Sequence, residues 1–468
     1  MNTAISGALI TAVFFSYAMC EPMGDWIGCP WDGPPAAVNS VTLWDINGDG
    51  SGAVLPFLAT DNGLYVKGLG GADIDVALFH GNRLTTITTW DRDGAGPMTP
   101  ELVFVVQDSA FMSAEMYSVI YDEHGVLQIS LLAIFESDVR GLTSYDTNGD
   151  GIDELVAVGA FESVVVDGMT TPLSKSAAFD ASSWSQLGTA PNSTCEVAKV
   201  LACSPGNSSI PCEGDSTLVI GGFFTMAGGQ NADGVACWDD SAGDWTSCGG
   251  GTALSGTTVV RDVAMWDSDD GPQLIVAGFG IQVDGIWADN IAHFDGTDWL
   301  PFGTGAWGNV QAVTSFDVDG DGTPEPVMAA LFDEGGGLFV YKAVYWDGDQ
   351  WLLLDDGEIT SASNFVEVTD LLSVNADGAP PELIVVGEFD AVGPTAAENL
   401  AIWTPDNAGG PCDAADFAEP FGQHNFFDVS AFLSLFVAED PSADFTGDGN
   451  YNFFDVQAFI TAFVNGCP

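Results

Sequence analysis

Several short stretches of this chain set oxygen-bearing side chains at alternate positions around a glycine, the arrangement a hard divalent cation requires. In the segment 444–455, Asp444, Thr446, Asp448, Asn452 and Asp455 fall at positions 1, 3, 5, 9 and 12, with Gly449 at 6 and the Asn450 carbonyl at 7. Calcium (Ca2+) takes six to eight oxygens, and such a loop supplies most of them locally. Asp146, Asn148, Asp150 and Glu154 repeat the alternation with a carboxylate at the ninth position, as do Asp317, Asp319, Asp321 and Glu325. The loop of Asp45, Asn47 and Asp49 has Ala53 at the ninth position, which predicts weaker binding. The competing reading is that Asp-Gly and Asn-Gly pairs simply make turns.

Other chemistry finds little support. His80, His124, His293 and His424 are scattered, and neither GxSxG nor HExxH occurs. The paired carboxylates a glycosidase needs cannot be told from the many loop acids. Nine cysteines with no paired CxxC argue against a cysteine-based metal site. In an exported chain they read as disulfides. Cys237–Cys248 and Cys412–Cys467 are the favoured pairs, followed by Cys20–Cys29 and by two of Cys195, Cys203 and Cys212.

The elements that must hold the acidic loops repeat. Between 41 and 405 a unit recurs about seven times, with six or eight copies open: an aromatic or apolar residue, an acidic loop, then an unbroken apolar strand. TSYDTNGDGIDELVAVGAF and TSFDVDGDGTPEPVMAALF are its clearest copies. The strand appears as ELVAVGAF, TLVIGGFF, QLIVAGFG and ELIVVGEF, which suits burial on both faces. Later in the unit, CWDDSAGDW, HFDGTDW and YWDGDQW bracket an acidic turn with aromatic residues, which predicts a hairpin. Many of the fourteen tryptophans occupy these repeated positions, so they are expected to pack blades together rather than to stack on sugars. The predicted fold is therefore mainly β: a β-propeller of about seven four-stranded blades, radial repetition leaving only short protected edges. The copies resemble the FG-GAP and kelch-like repeats of bacterial extracellular propellers.

After Pro405 the composition changes. DFAEPFGQHNFFDVSAFLSLF and DFTGDGNYNFFDVQAFITAF share Asn-Phe-Phe-Asp-Val 27 residues apart, Asn425 against Asn452. Val429, Phe432, Leu433 and Phe436, then Val456, Phe459, Ile460 and Phe463, recur at helical spacing and predict two packed helices. The first loop keeps Asp416, Glu419 and Asp428 but has Pro420 and Phe421 where Asp-Gly belongs. This tail resembles the dockerin modules, specifically those of bacterial GC-type dockerin-anchored proteins that end in a Gly-Cys such as Gly466-Cys467. The resemblance implies an EF-hand-like, calcium-dependent α-helical module that docks to a cohesin-like or cell-envelope protein, with Phe426, Phe427, Phe453 and Phe454 near the docking face. Those paired phenylalanines depart from the polar recognition residues of cellulosomal dockerins.

The composition sets bounds on function. Eight Lys+Arg against 67 Asp+Glu give a net charge of -59, which repels phosphate backbones and excludes nucleic acid as a partner. With 46% hydrophobic residues the chain buries a core and is no disordered polyanion. An apolar run from Ala8 to Phe15, followed by Ser16-Tyr17-Ala18, reads as a signal peptide over 1–18. No later run is long enough to span a bilayer. The expected organisation is 1–18 signal peptide, 19–38 mature N-terminal segment, 39–405 propeller, 406–411 linker and 412–468 dockerin-like module. The expected protein is secreted, extracellular or at the cell surface, and non-enzymatic, with the propeller binding a glycan or protein. A glycan-active hydrolase or lyase with its site in the propeller channel is the alternative.

Overall fold

The computed structural model describes residues 26–27, 37–45, 54–67, 73–79, 82–94, 100–108, 113–121, 127–202, 216–248, 258–268, 271–283, 286–303, 305–319, 322–335, 338–363, 365–374, 381–405, 415, 426–437, 441–443, 445–446 and 450–465. Residues 1–18, with the expected signal peptide, and Cys20, Cys29, Cys203, Cys212, Cys412 and Cys467 lie outside them.

The chain is a mainly β protein with a β-propeller arrangement. Seven strands line its axis: Val38–Asp45, Arg83–Trp90, Val139–Tyr145, Cys195–Ala202, Val259–Ser268, Ala312–Phe316 and Glu367–Val374. Each packs against the next, and the last returns to the first, so the ring is closed. Each inner strand opens an antiparallel sheet that runs outward in chain order, the outermost strand of the seventh sheet excepted. The third sheet, for example, continues through Glu154–Gly159, Ser176–Phe179 and Trp184–Gln186.

Two sheets, the second and the sixth, have six strands rather than four. The extra pair is a hairpin lent by the following repeat. Ser163–Val166 and Met169–Pro172 leave the third repeat to pair with Leu127–Phe135 of the second sheet. Ala391–Val392 and Thr395–Ala396 leave the seventh to pair with Trp351–Thr360. In the fourth and fifth repeats the corresponding hairpins, Met226–Asn231 and Gln282–Trp287, stand as separate two-stranded sheets.

The seventh sheet takes its outermost strand from the other end of the chain, since Trp26 and Ile27 pair with Trp403 and Ile402 of Leu400–Trp403.

The unbroken apolar strands are buried as their composition requires. Leu155–Val158, Leu274–Ala277 and Leu383–Val386 are all fully inaccessible. The aromatic brackets face each other across hairpins, Trp238 opposite Trp245, Phe294 opposite Trp299 and Trp346 opposite Trp351. The tryptophans of the inner strands tie one repeat to the next. Trp44 Nε1 donates to the Pro100 carbonyl at 2.8 Å, and Trp90 Nε1 donates to the Asp153 carbonyl at 2.8 Å. An indole buried between sheets satisfies its one donor this way.

Cys237 and Cys248 form a disulfide, as the spacing predicts. Cys195 is a free, buried thiol, which removes it from the pairing suggested with Cys203 or Cys212.

In the tail, helices span Phe426–Val437 and Phe453–Asn465. Phe432 of the first stacks on Phe459 of the second, with ring centroids 4.0 Å apart and planes within 3°. Asn452 caps the second helix by accepting the Phe454 N–H, and Asp455 reaches back to accept the Asn452 N–H, a capping box.

Candidate functional site

Two features of the propeller could do chemistry: the acidic loops at one end of the inner strands and the channel mouth at the other.

In the third repeat, Asp146 accepts the Gly149, Asp150 and Gly151 N–H groups, so its carboxylate folds the loop around itself. Glu154 accepts the Thr147 N–H and hydroxyl, and Asn148 Nδ2 donates to it at 2.7 Å. Asp150 Oδ1 accepts the Ile152 N–H. Burial lifts the Glu154 carboxyl above its usual range; the Thr147 hydrogen bonds oppose this, and Asp150 and Asp146 add repulsion. The four predicted ligands share one loop, their oxygens engaged by its backbone and side chains.

The sixth repeat is arranged differently. Asp317, Asp319 and Glu325 each bring a carboxylate oxygen within 4.8 Å of the others, the one such gathering of acidic, histidine or cysteine groups among the described residues. Glu325 accepts the Val318 N–H at 2.8 Å and Asp317 accepts the Gly322 N–H at 3.0 Å. Their field reaches Tyr345, whose phenol is raised first by burial and then by Asp347, Glu325 and Asp319. Oxygen-only donors packed this closely fit a calcium-class ion. Asp321 lies outside the described residues, as do Asn47, Asp49 and Ala53 of the first loop.

The second repeat offers an internal comparison. Glu101 opens its second strand as Glu154 and Glu325 open theirs, and Arg92 Nε lies 2.5 Å from its carboxylate. A guanidinium here supplies the positive charge the other loops lack.

In the tail loop, Thr446 N–H and Oγ1 donate to Asp455 at 3.0 and 2.8 Å. Asn450 and Asn452 flank this pair, with Asn452 Nδ2 donating to the Asn450 carbonyl. These hydrogen bonds, led by that from the Asn452 N–H, hold the Asp455 carboxyl below its usual range. Asp444 and Asp448 lie outside the described residues.

A channel site enters the sequence reading only as the alternative, and none of the residues lining the channel mouth was foreseen. Six of the seven inner strands shift register at their second or third residue: Asn39, Thr85, Arg140, Glu196, Arg261 and Thr369. Each is a bulge residue, and bulges re-aim side chains. Together with Gln311, just ahead of the sixth strand, all of these line one cavity of about 370 Å³ at the end of the ring where the inner strands begin.

Four glycines make room for the bulges. A Cβ on Gly159, Gly222, Gly278 or Gly387 would come within 2.4 Å of the carbonyl of Asp138, Thr194, Val259 or Glu367 respectively. These are the glycines of the repeated VGAF, GGFF, AGFG and VGEF motifs.

The mouth is wired across sheet boundaries. Asn39 Nδ2 donates to the Leu84 carbonyl, Thr85 Oγ1 to Val139 and Thr369 Oγ1 to Val38. Glu196 accepts from Arg140 on one side and from Arg261 on the other, the latter at 3.1 Å. Gln311 donates to Glu367.

Deeper in the channel, Lys199 Nζ lies 2.6 Å from Asp262, which also accepts the Val313 N–H of the next sheet. Asp370 accepts the Val41 N–H across the ring closure. Burial pushes the Asp370 carboxyl up to about 6, against the pull of Lys199. For Lys199, burial lowers the ammonium's pKa, but Asp262 and Asp370 outweigh it and the net shift is upward.

The signal that sequence reading passed over was the placement of the cations. Of eight Lys+Arg in the chain, Arg83, Arg140, Lys199 and Arg261 all lie on inner strands.

No protein-family model and no curated protein matches the chain. Solved structures do. A chain of BBS1N in complex with ARL6DN, soaked with lead, is similar over 82% of this chain and 98% of that one, at 11% identity and TM-score 0.44. An ancestral GH74 enzyme covers 80% and 65%, at 12% identity and TM-score 0.23. A GH43 α-L-arabinofuranosidase from Clostridium thermocellum covers 57% and 88%, at 13% identity and TM-score 0.28. At this distance the likeness carries no argument about activity.

Proposed function

We propose that this chain is an exported, non-enzymatic binding β-propeller, held at the cell surface or in an extracellular assembly by a calcium-dependent, dockerin-like tail. We count its seven sheets as seven blades, the two hairpins on the second and sixth being loans from their neighbours. One observation carries the binding reading: side chains from six inner strands, with Gln311 just ahead of the remaining one, converge on a single cavity at the channel mouth, and many of their polar groups are tied into one another. A site whose central carboxylate, Glu196, is clamped by guanidiniums from both sides is organised to hold shape, not to move protons.

Calcium is the ion we assign to the loops of Asp317, Asp319 and Glu325, of Asp146 to Glu154, and of Asp444 to Asp455. Arg92 in the second repeat supports this, since there a built-in cation meets the equivalent glutamate. The tail reading is supported by Phe453 and Phe454, 72% and 64% exposed beside a helix pair whose own core is Phe432 and Phe459. Large exposed apolar side chains gathered on a small module mark an interface. We assign the cohesin-like or envelope partner to the tail, and a glycan or protein ligand to the propeller.

The test is to incubate the intact protein with solubilised envelope proteins in calcium and in EGTA. We expect one protein to be retained only in calcium and lost with Phe453→Asp. Retention that ignores both would overturn the docking reading. Reducing ends released from polysaccharides by the same preparation would overturn the non-enzymatic one in favour of the hydrolase or lyase.

A further inference from the structure

The mouth has a property the rest of the molecule lacks. Its charged lining residues are Arg83, Arg140 and Arg261 against Asp138, Glu196 and Glu367, three and three, so they sum to zero in a chain of net charge -59. A surface with eight cations in all has placed three of them here. An anionic ligand would have to cross the field of the whole molecule to reach them, and a cation would be held by that field anywhere. The cavity therefore selects neither sign.

What it offers instead is planar groups fixed in orientation. The Arg140 and Arg261 guanidiniums, the Asp138, Glu196 and Glu367 carboxylates and the Gln311 amide are locked by the hydrogen bonds they make to one another, so both donors and acceptors face the cavity at little further entropic cost. Two buried polar atoms of the lining have no protein partner: Gln107 Oε1, an acceptor, and Arg261 Nε, a donor. A ligand carrying hydroxyls, each both donor and acceptor, matches that inventory.

The same end of the propeller bears exposed aromatic rings. Phe279 pairs with Val259 at the start of an inner strand and is 54% exposed. Trp307, 59% exposed, packs on Phe339 with ring centroids 4.1 Å apart, and its backbone N–H donates to the Leu331 carbonyl in the second strand of the sixth sheet, Glu325–Gly335. Aromatic faces at the end of the propeller that carries the hydroxyl-matching groups suit the alternating C–H and O–H surfaces of a sugar ring.

We infer that the channel mouth binds the end of a neutral saccharide chain, seated between the Arg140–Glu196–Arg261 clamp and the rim aromatics. This rests on the binding reading above, and it names the ligand class and site. A volume of about 370 Å³ lies at the small end of ligand pockets and suits one or two sugar rings.

The experiment is isothermal titration of the intact protein with neutral cello-, xylo-, manno- and arabino-oligosaccharides, with oligogalacturonate as the anionic control. We expect at least one neutral series to bind, oligogalacturonate to bind at least about tenfold more weakly, and heat to be lost with chain-end oxidation. Arg261→Lys, which keeps the charge but loses the fork, and Phe279→Ala, at an exposed ring, should each weaken binding about tenfold with unchanged melting. Tighter binding of oligogalacturonate, no binding of any neutral sugar at millimolar concentration, or binding untouched by both variants would overturn the inference. The first and third of these outcomes leave a binding propeller standing, whereas cleavage of the oligosaccharide during titration strikes at the non-enzymatic reading alone.

Discussion

Replacing Lys199 by methionine isolates the charge inside the channel. Methionine keeps most of the apolar stem, so the change removes an ammonium 2.6 Å from Asp262 and leaves packing nearly intact. The gross attraction at 2.6 Å and an effective dielectric of 20 is about 6 kcal/mol, most of it offset by desolvation. Removing one partner of a fully buried pair costs about 3–5 kcal/mol. Lys199 keeps 31% of its exposure, to channel water, so we discount the loss to about 2 kcal/mol. The sign of the pH dependence follows from Asp370. Its pKa in the folded protein, raised to about 6 from 3.8, means the native state binds more protons than the unfolded chain between those values, so stability falls as pH rises through that window. Without Lys199 the ionised Asp370 has lost its counter-charge, and the penalty is full above about pH 7 and partly relieved near pH 5, where the carboxyl is mostly protonated. Thermal melts of the intact protein at pH 5 and pH 8, followed by circular dichroism, should show the larger drop in Tm at pH 8. A loss of equal size at both values, or a larger one at pH 5, would refute the reasoning, because it would place the cost in packing or in Asp262 alone.

Calcium should raise Tm relative to EGTA, by about 2.7 kcal/mol of stability at a hundredfold excess over Kd for each competent loop, and Glu325→Gln should remove more of that gain than Glu154→Gln, whose oxygens are already satisfied within the loop. Trp90→Phe deletes the 2.8 Å bond to the Asp153 carbonyl while keeping a ring between sheets, and urea unfolding should report a loss of about 1–2 kcal/mol. In the tail, Phe432→Ala should cost about 3 kcal/mol and helical signal, whereas Phe453→Ala should stay within about 0.5 kcal/mol, since one ring is buried in the helix pair and the other is exposed.

The parts of this fold that were legible in sequence are those where one physical demand recurs. Leu155–Val158 and Leu383–Val386 are buried on both faces, so only apolar residues serve and the repeat shows itself. Trp238 and Trp245 bracket a hairpin because the pair must fill the gap to the preceding sheet. The mouth obeys the opposite rule. Its residues share a backbone position but not a chemistry: asparagine, threonine, arginine and glutamate all occupy the bulge site, so no motif marks it. What did recur was the glycine across from the bulge, at 159, 222, 278 and 387, visible within the apolar strand yet carrying no hint of what its missing side chain admits. The six-stranded sheets were hidden for a related reason. A hairpin such as Ser163–Pro172 has the same local pattern whether it stands alone or joins its neighbour, and the length of the neighbouring strand decides.

The strand Trp26–Ile27 joins residues nearly four hundred positions apart in the chain to complete the seventh sheet. Closing so long a loop brings a large entropic cost for few hydrogen bonds, so this seam is expected to form late in folding, after the other sheets have stacked. It is also the point at which the ring can first come undone. A circle of repeats whose two ends meet at one seam fails as a belt fails, at the buckle, and the lifetime of the assembled propeller is then governed by how firmly the Trp26–Ile27 backbone keeps its register against Ile402 and Trp403 and by how firmly Thr369 and Asp370 hold Val38 and Val41.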